Sequence, residues 1–237
     1  MNIKKPEVSV IVPALNEEKY IRYAFEGLSK QTFRNFEVIV VDGGSTDRTR
    51  DISRKHARVI VDRKEGIGRA RNAGAAAARG RILVFIDADT KPSPQLLSVY
   101  SKAFADRHTV SATGPILPLE HTTEAVETGY RIVSVLFVKL TLALHRPSVI
   151  GSNFAVTREA FRKAGGFNPR LITYEDWDLS HRLHRLGRIL YIDDAVVYTS
   201  VRRVAEWGIF GFFKFHVGNM FRYNLFKKPK TSYNPVR

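Results

Sequence analysis

Residues 82–89 read ILVFIDAD, five apolar residues followed by two aspartates that flank one alanine. A continuous run of large and β-branched apolar side chains is typical of a strand that is buried on both faces of a parallel sheet. Alternation along an extended chain points Asp87 and Asp89 to the same side, and Ala88 leaves room beside them. Two carboxylates in this arrangement suit a divalent cation that bridges phosphate oxygens. The stretch therefore predicts a buried strand with an acidic, cation-binding end.

The chain before this strand alternates between strand and helix patterns. Short β-branched apolar runs are separated by stretches with helical periodicity. The predicted strands are residues 8–12, 36–41, 59–61 and 82–86, and the predicted helices are residues 17–30, 49–56 and 68–79. This order predicts an α/β fold in which helices cover both faces of a mainly parallel central sheet. Ligands of such sheets bind at the carboxyl ends of the strands.

Asp42 directly follows the predicted strand 36–41 and so shares an edge with Asp87 and Asp89. Aspartate is also common in turns and at helix N-termini, which makes each of these residues a weak signal alone. Their common placement at one edge of the sheet is what predicts a functional site.

A third acidic motif, YEDWD, spans residues 174–178 and precedes a helical pattern over residues 179–186. A carboxylate within reach of a bound hydroxyl group can act as a general base. We assign that role to Asp176. Glu175 would orient the molecule that carries the hydroxyl group, and Trp177 would lie beside that molecule. The alternative is an acidic first helical turn that is stabilised by the helix dipole, and Asp178 fits this alternative better.

Composition indicates one folded domain, with or without a small appendage. The 237 residues are 44% hydrophobic and 26% charged, which excludes wholesale disorder and a polytopic membrane protein. The net charge of +15 favours phosphate-bearing partners: nucleotides, nucleic acid or an anionic membrane. Because the chain has no cysteine, a metal must bind to oxygen or nitrogen ligands. The N-terminus lacks a signal-peptide pattern, so we expect a cytoplasmic catalytic region.

Two apolar stretches suggest attachment to a membrane surface. Residues 207–226 are rich in aromatic side chains, with glycines, Lys214 and Arg222 along one side, a pattern typical of an interfacial helix. Residues 129–145 are apolar but too short and too interrupted for a confident membrane span. Packing against the sheet is the other interpretation of both stretches. Together with the charge, they favour the cytoplasmic face of the cell membrane.

Six motifs in order resemble the family 2 glycosyltransferases with the GT-A fold: VSVIVPALNEE, VIVVDGGSTDRT, GIGRARNAG, FIDADT, GSNFAVTREAFRKAGGFN and YEDWDLSHRL. The resemblance covers about residues 7–200. It implies an inverting hexosyltransferase, mannosyl transfer included, that uses a UDP- or GDP-sugar and Mg²⁺ or Mn²⁺. The implied catalytic domain is residues 1–204, with a nucleotide-binding half to about residue 90 and an acceptor half after it, followed by a membrane-associating segment, 205–237.

The resemblance also implies roles for individual residues. The nucleoside pocket would be lined by Pro13, Ala14, Asn16 and Glu17. Asp42 would bond to the base, Arg69 would lie near the base or diphosphate, Asp87 would bind ribose or sugar, and Asp89 would bind the metal. Gly151, Ser152 and Asn153 would let a donor or acceptor sugar approach closely, with a plain turn as the alternative.

One departure from the family concerns the residues after position 199. Many relatives have a histidine there that approaches the metal, whereas this chain has Arg202 and Arg203, two candidates for a clamp on the leaving diphosphate. A lipid-linked glycan is the expected acceptor. The alternatives are transfer to a polyprenyl phosphate without a general base, and a non-enzymatic basic protein that binds membrane or nucleic acid. No specific nucleic-acid motif is evident, and the sequence sets no oligomeric state.

Overall fold

The computed structural model describes residues 5–64, 66–120, 122–208 and 211. In this part of the chain the strands form one sheet of seven strands and one sheet of three. The strands are β1 (Val8–Ala14), β2 (Phe36–Asp42), β3 (Arg58–Val61), β4 (Ile82–Ile86), β5 (Thr90–Pro92), β6 (Thr109–Thr113), β7 (Ile116–Pro118), β8 (Asn153–Thr157), β9 (Arg188–Tyr191) and β10 (Val197–Thr199).

The large sheet is mainly parallel, which confirms the predicted α/β class. Its order is β3-β2-β1-β4-β8-β6-β9, and β8 alone runs antiparallel to its neighbours. β1 lies between β2 and β4, and its last residue, Ala14, pairs with Asp42. The small sheet has the order β5-β10-β7, and β5 begins directly after Asp89. The small sheet therefore adjoins the acidic end of β4.

The helices lie between the strands along the chain. They are α1 (Ile21–Ser29), α2 (Thr49–Arg54), α3 (Ile67–Ala77), α4 (Leu96–Ala103), α5 (Glu124–Arg131), α6 (Val138–Ala143), α7 (Arg158–Lys163) and α8 (Glu175–His184). A π-helical segment, Ile132–Phe137, joins α5 to α6. Residues 202–208 are also helical.

Alternate residues of the central strands face two apolar layers. Val10 and Val84 pack with α1 and α4 on one face, whereas Ile11 and Phe85 pack with α3, α7 and α8 on the other. All four side chains are fully buried. Because both faces are covered, these strands are continuously apolar and do not alternate between apolar and polar residues.

Two predicted helix boundaries were wrong. α8 begins at Glu175, so the acidic motif is the first turn of the helix and does not precede it. Tyr174 caps this helix in the left-handed conformation, with φ 67°, and the carboxylates that follow interact favourably with the helix dipole. The helical stretch predicted from residue 129 begins at Glu124. Its first turn is acidic too, which a search for apolar periodicity overlooks.

The C-terminal stretch 207–226, predicted to be an interfacial helix, lies almost entirely outside the described residues. The division into a catalytic domain and a segment 205–237 stays a prediction. No helix in the described part of the chain has the length and apolar character needed to traverse a bilayer.

Gly74 provides a test of the packing between α3 and the sheet. A Cβ atom at Gly74 would stand 2.4 Å from Cγ2 of Ile11 and 3.1 Å from Cγ2 of Val41. We expect Gly74→Ala to destabilise the fold by about 1–3 kcal/mol, because overpacking displaces side chains from their rotamers. Gly43→Ala is the matched control, since its nearest neighbour would stand at 3.4 Å. Urea denaturation measures both variants, and a wild-type free energy of unfolding for Gly74→Ala would contradict this packing.

Candidate functional site

The acidic residues predicted from the sequence meet at one edge of the large sheet. Asp42 ends β2, and Asp87 and Asp89 follow β4. Because β1, β2 and β4 are parallel, their carboxyl ends lie side by side. The first turn of α8 brings Glu175 and Asp176 to the same edge, where an arginine joins Glu175 to Asp87.

Arg71 of α3 is that arginine. Its Nη1 donates to Oε1 of Glu175 at 2.8 Å, and its Nη2 donates to Oδ1 of Asp87 at 2.9 Å. Arg71 is only 2% exposed. Burial opposes the charge, but Asp87 and Glu175 outweigh burial and raise the pKa of Arg71 above its ordinary value. A buried guanidinium with two carboxylate partners holds both in fixed positions.

Gly151 makes room for this guanidinium. A Cβ atom at Gly151 would stand 2.7 Å from Nη1 of Arg71, so a larger residue would displace the arginine. The backbone N–H of Gly151 donates to Oδ2 of Asp176 at 2.9 Å. The space beside Gly151, which was predicted to admit a sugar, is therefore occupied by Arg71 in this structure.

Glu175 and Asp176 are both weaker acids than in water. Burial and then the charge of Asp176 raise the pKa of Glu175 to about 7, although Arg71 acts in the opposite direction. Burial also raises the pKa of Asp176, against the opposing effects of Arg71 and of the N–H groups of Gly151 and Trp177. A raised carboxylate pKa is what a general base needs near neutral pH.

Arg202 binds the carboxylates at the other end of the site. It donates to both carboxylate oxygens of Glu17, at 2.8 and 2.6 Å, and its Nη2 lies 3.0 Å from Oδ2 of Asp89. Its guanidinium also lies over the ring of Tyr20, 4.4 Å from the ring centroid. Burial and Asp87 raise the pKa of Asp89, while Arg202 and Arg203 act in the opposite direction. Arg202, expected to clamp a diphosphate, is thus engaged with two acidic side chains.

Hydrogen bonds tie the loop after β1 to the loop after β2. Asn16 adopts a left-handed conformation, with φ 55°, and its Oδ1 accepts from the N–H of Thr46 at 2.8 Å. Its own N–H donates to Oγ of Ser45, and the N–H of Glu17 donates to Oγ1 of Thr49. These contacts fix the wall where the resemblance places the nucleoside.

Asp42 lies beneath that wall and is fully buried. Its Oδ2 accepts from Nη2 of Arg50 at 2.7 Å, and its Oδ1 accepts from the N–H of Ser45 at 3.1 Å. Burial raises its pKa, but the bonds from Ser45 and Arg50 outweigh burial and leave the pKa of Asp42 below its ordinary value. The predicted bond from Asp42 to a base would have to form at a carboxylate that is fully buried and already bonded to Arg50 and Ser45.

The remaining predicted residues divide into buried and exposed positions. Arg69 is exposed, and Asn153 is fully buried in β8, where its amide donates to the carbonyls of Pro115 and Ala195 and accepts from the hydroxyl of Tyr100. Asn153 therefore holds the core together and does not face the site, which corrects the prediction. The buried residues are Pro13, Ala14, Ala88 and Trp177, whereas Ser152 and Arg203 are half-buried.

The acidic cluster fits a divalent cation. The charged side chains of this cluster are the carboxylates Glu17, Asp87, Asp89, Glu175 and Asp176, and the guanidiniums Arg71, Arg202 and Arg203. Each of them contacts another member of the cluster or changes the pKa of another member. When all five carboxylates are ionised, above the raised pKa of Glu175, they exceed the three guanidiniums by two charges. Within the described ranges, no three acidic or histidine side chains enclose a metal. Magnesium often takes one or two carboxylates and completes its shell with substrate phosphates and water. Asp87 and Asp89 would supply those carboxylates.

The raised pKa of Glu175 makes stability depend on pH. Its ordinary pKa is 4.5 and its pKa in the folded protein is about 7, so its contribution to stability is full below pH 4.5 and is lost as the pH rises through about 7. Over this interval we expect the wild type to lose up to about 3 kcal/mol more than Glu175→Gln, which cannot ionise. Chemical denaturation at a series of pH values measures both slopes, and equal slopes would exclude a proton on Glu175.

Comparison with known proteins agrees with this architecture. The family model "Glycosyl transferase family 2" matches residues 9–165. The chain is 41% identical over 93 residues to the putative glycosyltransferase EpsH of Bacillus subtilis (strain 168). The aligned residues cover 37% of this chain and 27% of EpsH. This chain thus aligns with only part of that relative.

Two solved structures share the fold. S. aureus TarS 1–349 in complex with UDP superposes with a TM-score of 0.65 at 22% identity, covering 85% of this chain and 62% of that one. The mannosyltransferase PcManGT from Pyrobaculum calidifontis, in complex with GDP-Man and Mn²⁺, superposes with a TM-score of 0.64 at 21% identity. The superposition covers 91% of this chain and 65% of PcManGT. Since the family model spans well over half of the chain, this protein belongs to glycosyl transferase family 2 and has the GT-A fold.

Proposed function

We propose that this chain carries the catalytic site of an inverting glycosyltransferase, which moves a hexose from a UDP- or GDP-sugar to an acceptor hydroxyl. The observation that carries the proposal is the meeting of Asp87, Glu175 and Asp176 around Arg71 at the carboxyl ends of the central strands. That edge is where open α/β sheets bind their ligands. TarS in complex with UDP, and PcManGT in complex with GDP-Man and Mn²⁺, support a nucleotide-sugar donor.

The donor nucleoside would lie against the end of β1, beside Pro13, Ala14 and Asn16. Its diphosphate would then approach two guanidiniums whose Nε donors are covered in this structure and would have to become exposed on binding. Nε of Arg71 and Nε of Arg202 are buried and have no acceptor among the described residues. Phosphate oxygens are well suited to accept from guanidinium groups.

A divalent cation bound by Asp87 and Asp89 would neutralise the charge that develops on the diphosphate. Mn²⁺ in PcManGT supports such a cation, and Mg²⁺ satisfies the same oxygen ligands. For Asp89 to bind it, Oδ2 would have to share or release its contact with Arg202. Its bonds to both carboxylate oxygens of Glu17 would also have to open before Arg202 could turn its guanidinium towards the diphosphate.

The transfer step assigns one role to each carboxylate of α8. The acceptor oxygen attacks the anomeric carbon, the bond from that carbon to the diphosphate breaks, and the proton of the acceptor passes to Asp176. Attack opposite the leaving group inverts the configuration of the sugar. Glu175, held by Arg71, orients the acceptor. The raised pKa of Asp176, caused chiefly by burial, favours its role as base.

We place the acceptor on a lipid-linked glycan at the cytoplasmic face of the membrane. The net charge of +15 and the aromatic stretch 207–226 support this location. Mannose is one candidate for the transferred sugar, since the mannosyltransferase PcManGT forms a complex with GDP-Man.

Asp176→Asn tests the chemistry. We expect transfer from the matching donor to fall by about 10²–10⁴-fold, because the amide cannot take a proton from the acceptor. The matched control is Asp178→Asn on the same helical turn, whose carboxylate is paired with Arg182. Release of UDP or GDP measures turnover across a panel of UDP- and GDP-sugars.

Two results would count against parts of this proposal. If Asp176→Asn keeps most of the wild-type rate, the base assignment is wrong and an already ionised acceptor, such as a lipid phosphate, is favoured. If the wild type turns over none of the donors with any glycan or lipid acceptor, the transferase proposal fails.

A further inference from the structure

Four aliphatic side chains lie on the outer surface of the helical region 124–143 and of the turn that follows it. Ile132, Leu136, Leu140 and Leu144, which we name the outer stripe, follow one another at intervals of four residues. They are 50%, 64%, 53% and 62% exposed, which makes them the four most exposed large apolar side chains in the described part of the chain. Contiguous exposed apolar surface of this kind marks an interaction site.

The opposite side of the same helical region is packed against the protein. Ser134 and Val138 are 2% and 1% exposed, and Thr141 is 7% exposed. Oγ of Ser134 donates to the carbonyl of Ile116 in β7 at 3.0 Å. The helical region is therefore docked, and the outer stripe is exposed because it faces away from the body of the protein.

The π-helical segment reduces the drift of the stripe around the helix axis. In an α-helix of 3.6 residues per turn, steps of four residues drift steadily around the axis. A π-helix has more residues per turn, so the same steps drift less through Ile132–Phe137. Only the step from Ile132 to Leu136 lies within that segment, so the drift of the whole stripe is reduced over its length of about 18 Å at the α-helical rise.

Basic side chains accompany the stripe. Arg131, Lys139 and Arg146 are exposed along it, and Lys139 is 2.7 Å from a carboxylate oxygen of Asp193. The acidic residues Glu124 and Glu127 lie in the first turn of α5, before the stripe begins. An apolar line flanked by cations, on a chain of net charge +15, is complementary to an anionic lipid surface.

We propose that the outer stripe inserts into the interfacial layer of an anionic phospholipid bilayer and fixes how the enzyme lies on the membrane. This inference rests on the membrane location in the proposed function and names a surface for it. The buried side of the helical region borders the site: the charges of Asp89 and Arg203 act on the pKa of Tyr130, which burial raises to about 12. Insertion of the stripe would therefore bring the site close to the bilayer surface, where a lipid-linked acceptor lies.

The test is flotation of the full chain with vesicles of phosphatidylcholine alone and of phosphatidylcholine with an equal part of phosphatidylglycerol. The double variant Leu136→Gln/Leu140→Gln removes apolar surface without changing charge. Its matched control is Ile172→Gln/Leu186→Gln, at two exposed apolar positions outside the stripe. We expect the stripe variant to lower the partition coefficient on anionic vesicles by about tenfold or more, with the control unchanged. Ile132→Gln/Leu144→Gln is a second stripe variant, should the first not fold.

Unchanged partition of both stripe variants would overturn the proposal. If unchanged partition comes with a lower melting temperature, another part of this chain covers the stripe. If it comes with dissociation of an oligomer, a second copy covers it. Because flotation measures lipid binding alone, failure of this proposal leaves nucleotide binding and transfer to be judged by their own assays.

Discussion

The arrangement of this site depends on one buried guanidinium. Arg71 lies between Asp87, at the end of β4, and Glu175, at the start of α8, with contacts of 2.9 and 2.8 Å. Burying a lone charge is costly, so Arg71 and its partners are stable in this place only together. Gly151 is required for the same reason, since a Cβ atom there would occupy the position of the guanidinium. Removing Arg71 would leave Asp87 and Glu175 without their shared partner.

A second arginine connects two carboxylates at the other end of the site. Arg202 ties Glu17, on the loop after β1, to Asp89, after β4. A guanidinium stays charged at any working pH, and so it balances these acids permanently where a neutral histidine would not. The remaining excess of carboxylates leaves room for one divalent cation. In the proposed function, donor, cation and arginine would therefore act on the same few oxygens.

Local patterns in the sequence predicted the frame of the molecule well. The strand 82–86 was predicted with its observed bounds because its apolar run ends abruptly at Asp87. The acidic edge also followed from the sequence, because strand ends carry the carboxylates. Arg71 was missed and Arg69 chosen because an arginine on a predicted helix gives no sign of burial, and its partner Glu175 is 104 positions away in sequence. The role of Asn153 was predicted wrongly because its hydrogen-bond partners are also distant in sequence. They are Tyr100, Pro115 and Ala195.

The central claim is that this acidic edge binds a nucleotide diphosphate through a cation. Calorimetric titration of UDP and GDP, each with and without Mn²⁺, tests it on the wild type and on Asp89→Ala. Asp106→Ala, which removes a surface carboxylate paired with Arg188, is the control. We predict that one nucleotide binds, and that its affinity falls at least about tenfold without Mn²⁺ and in Asp89→Ala but not in the control. Binding of neither nucleotide under any condition would contradict the claim.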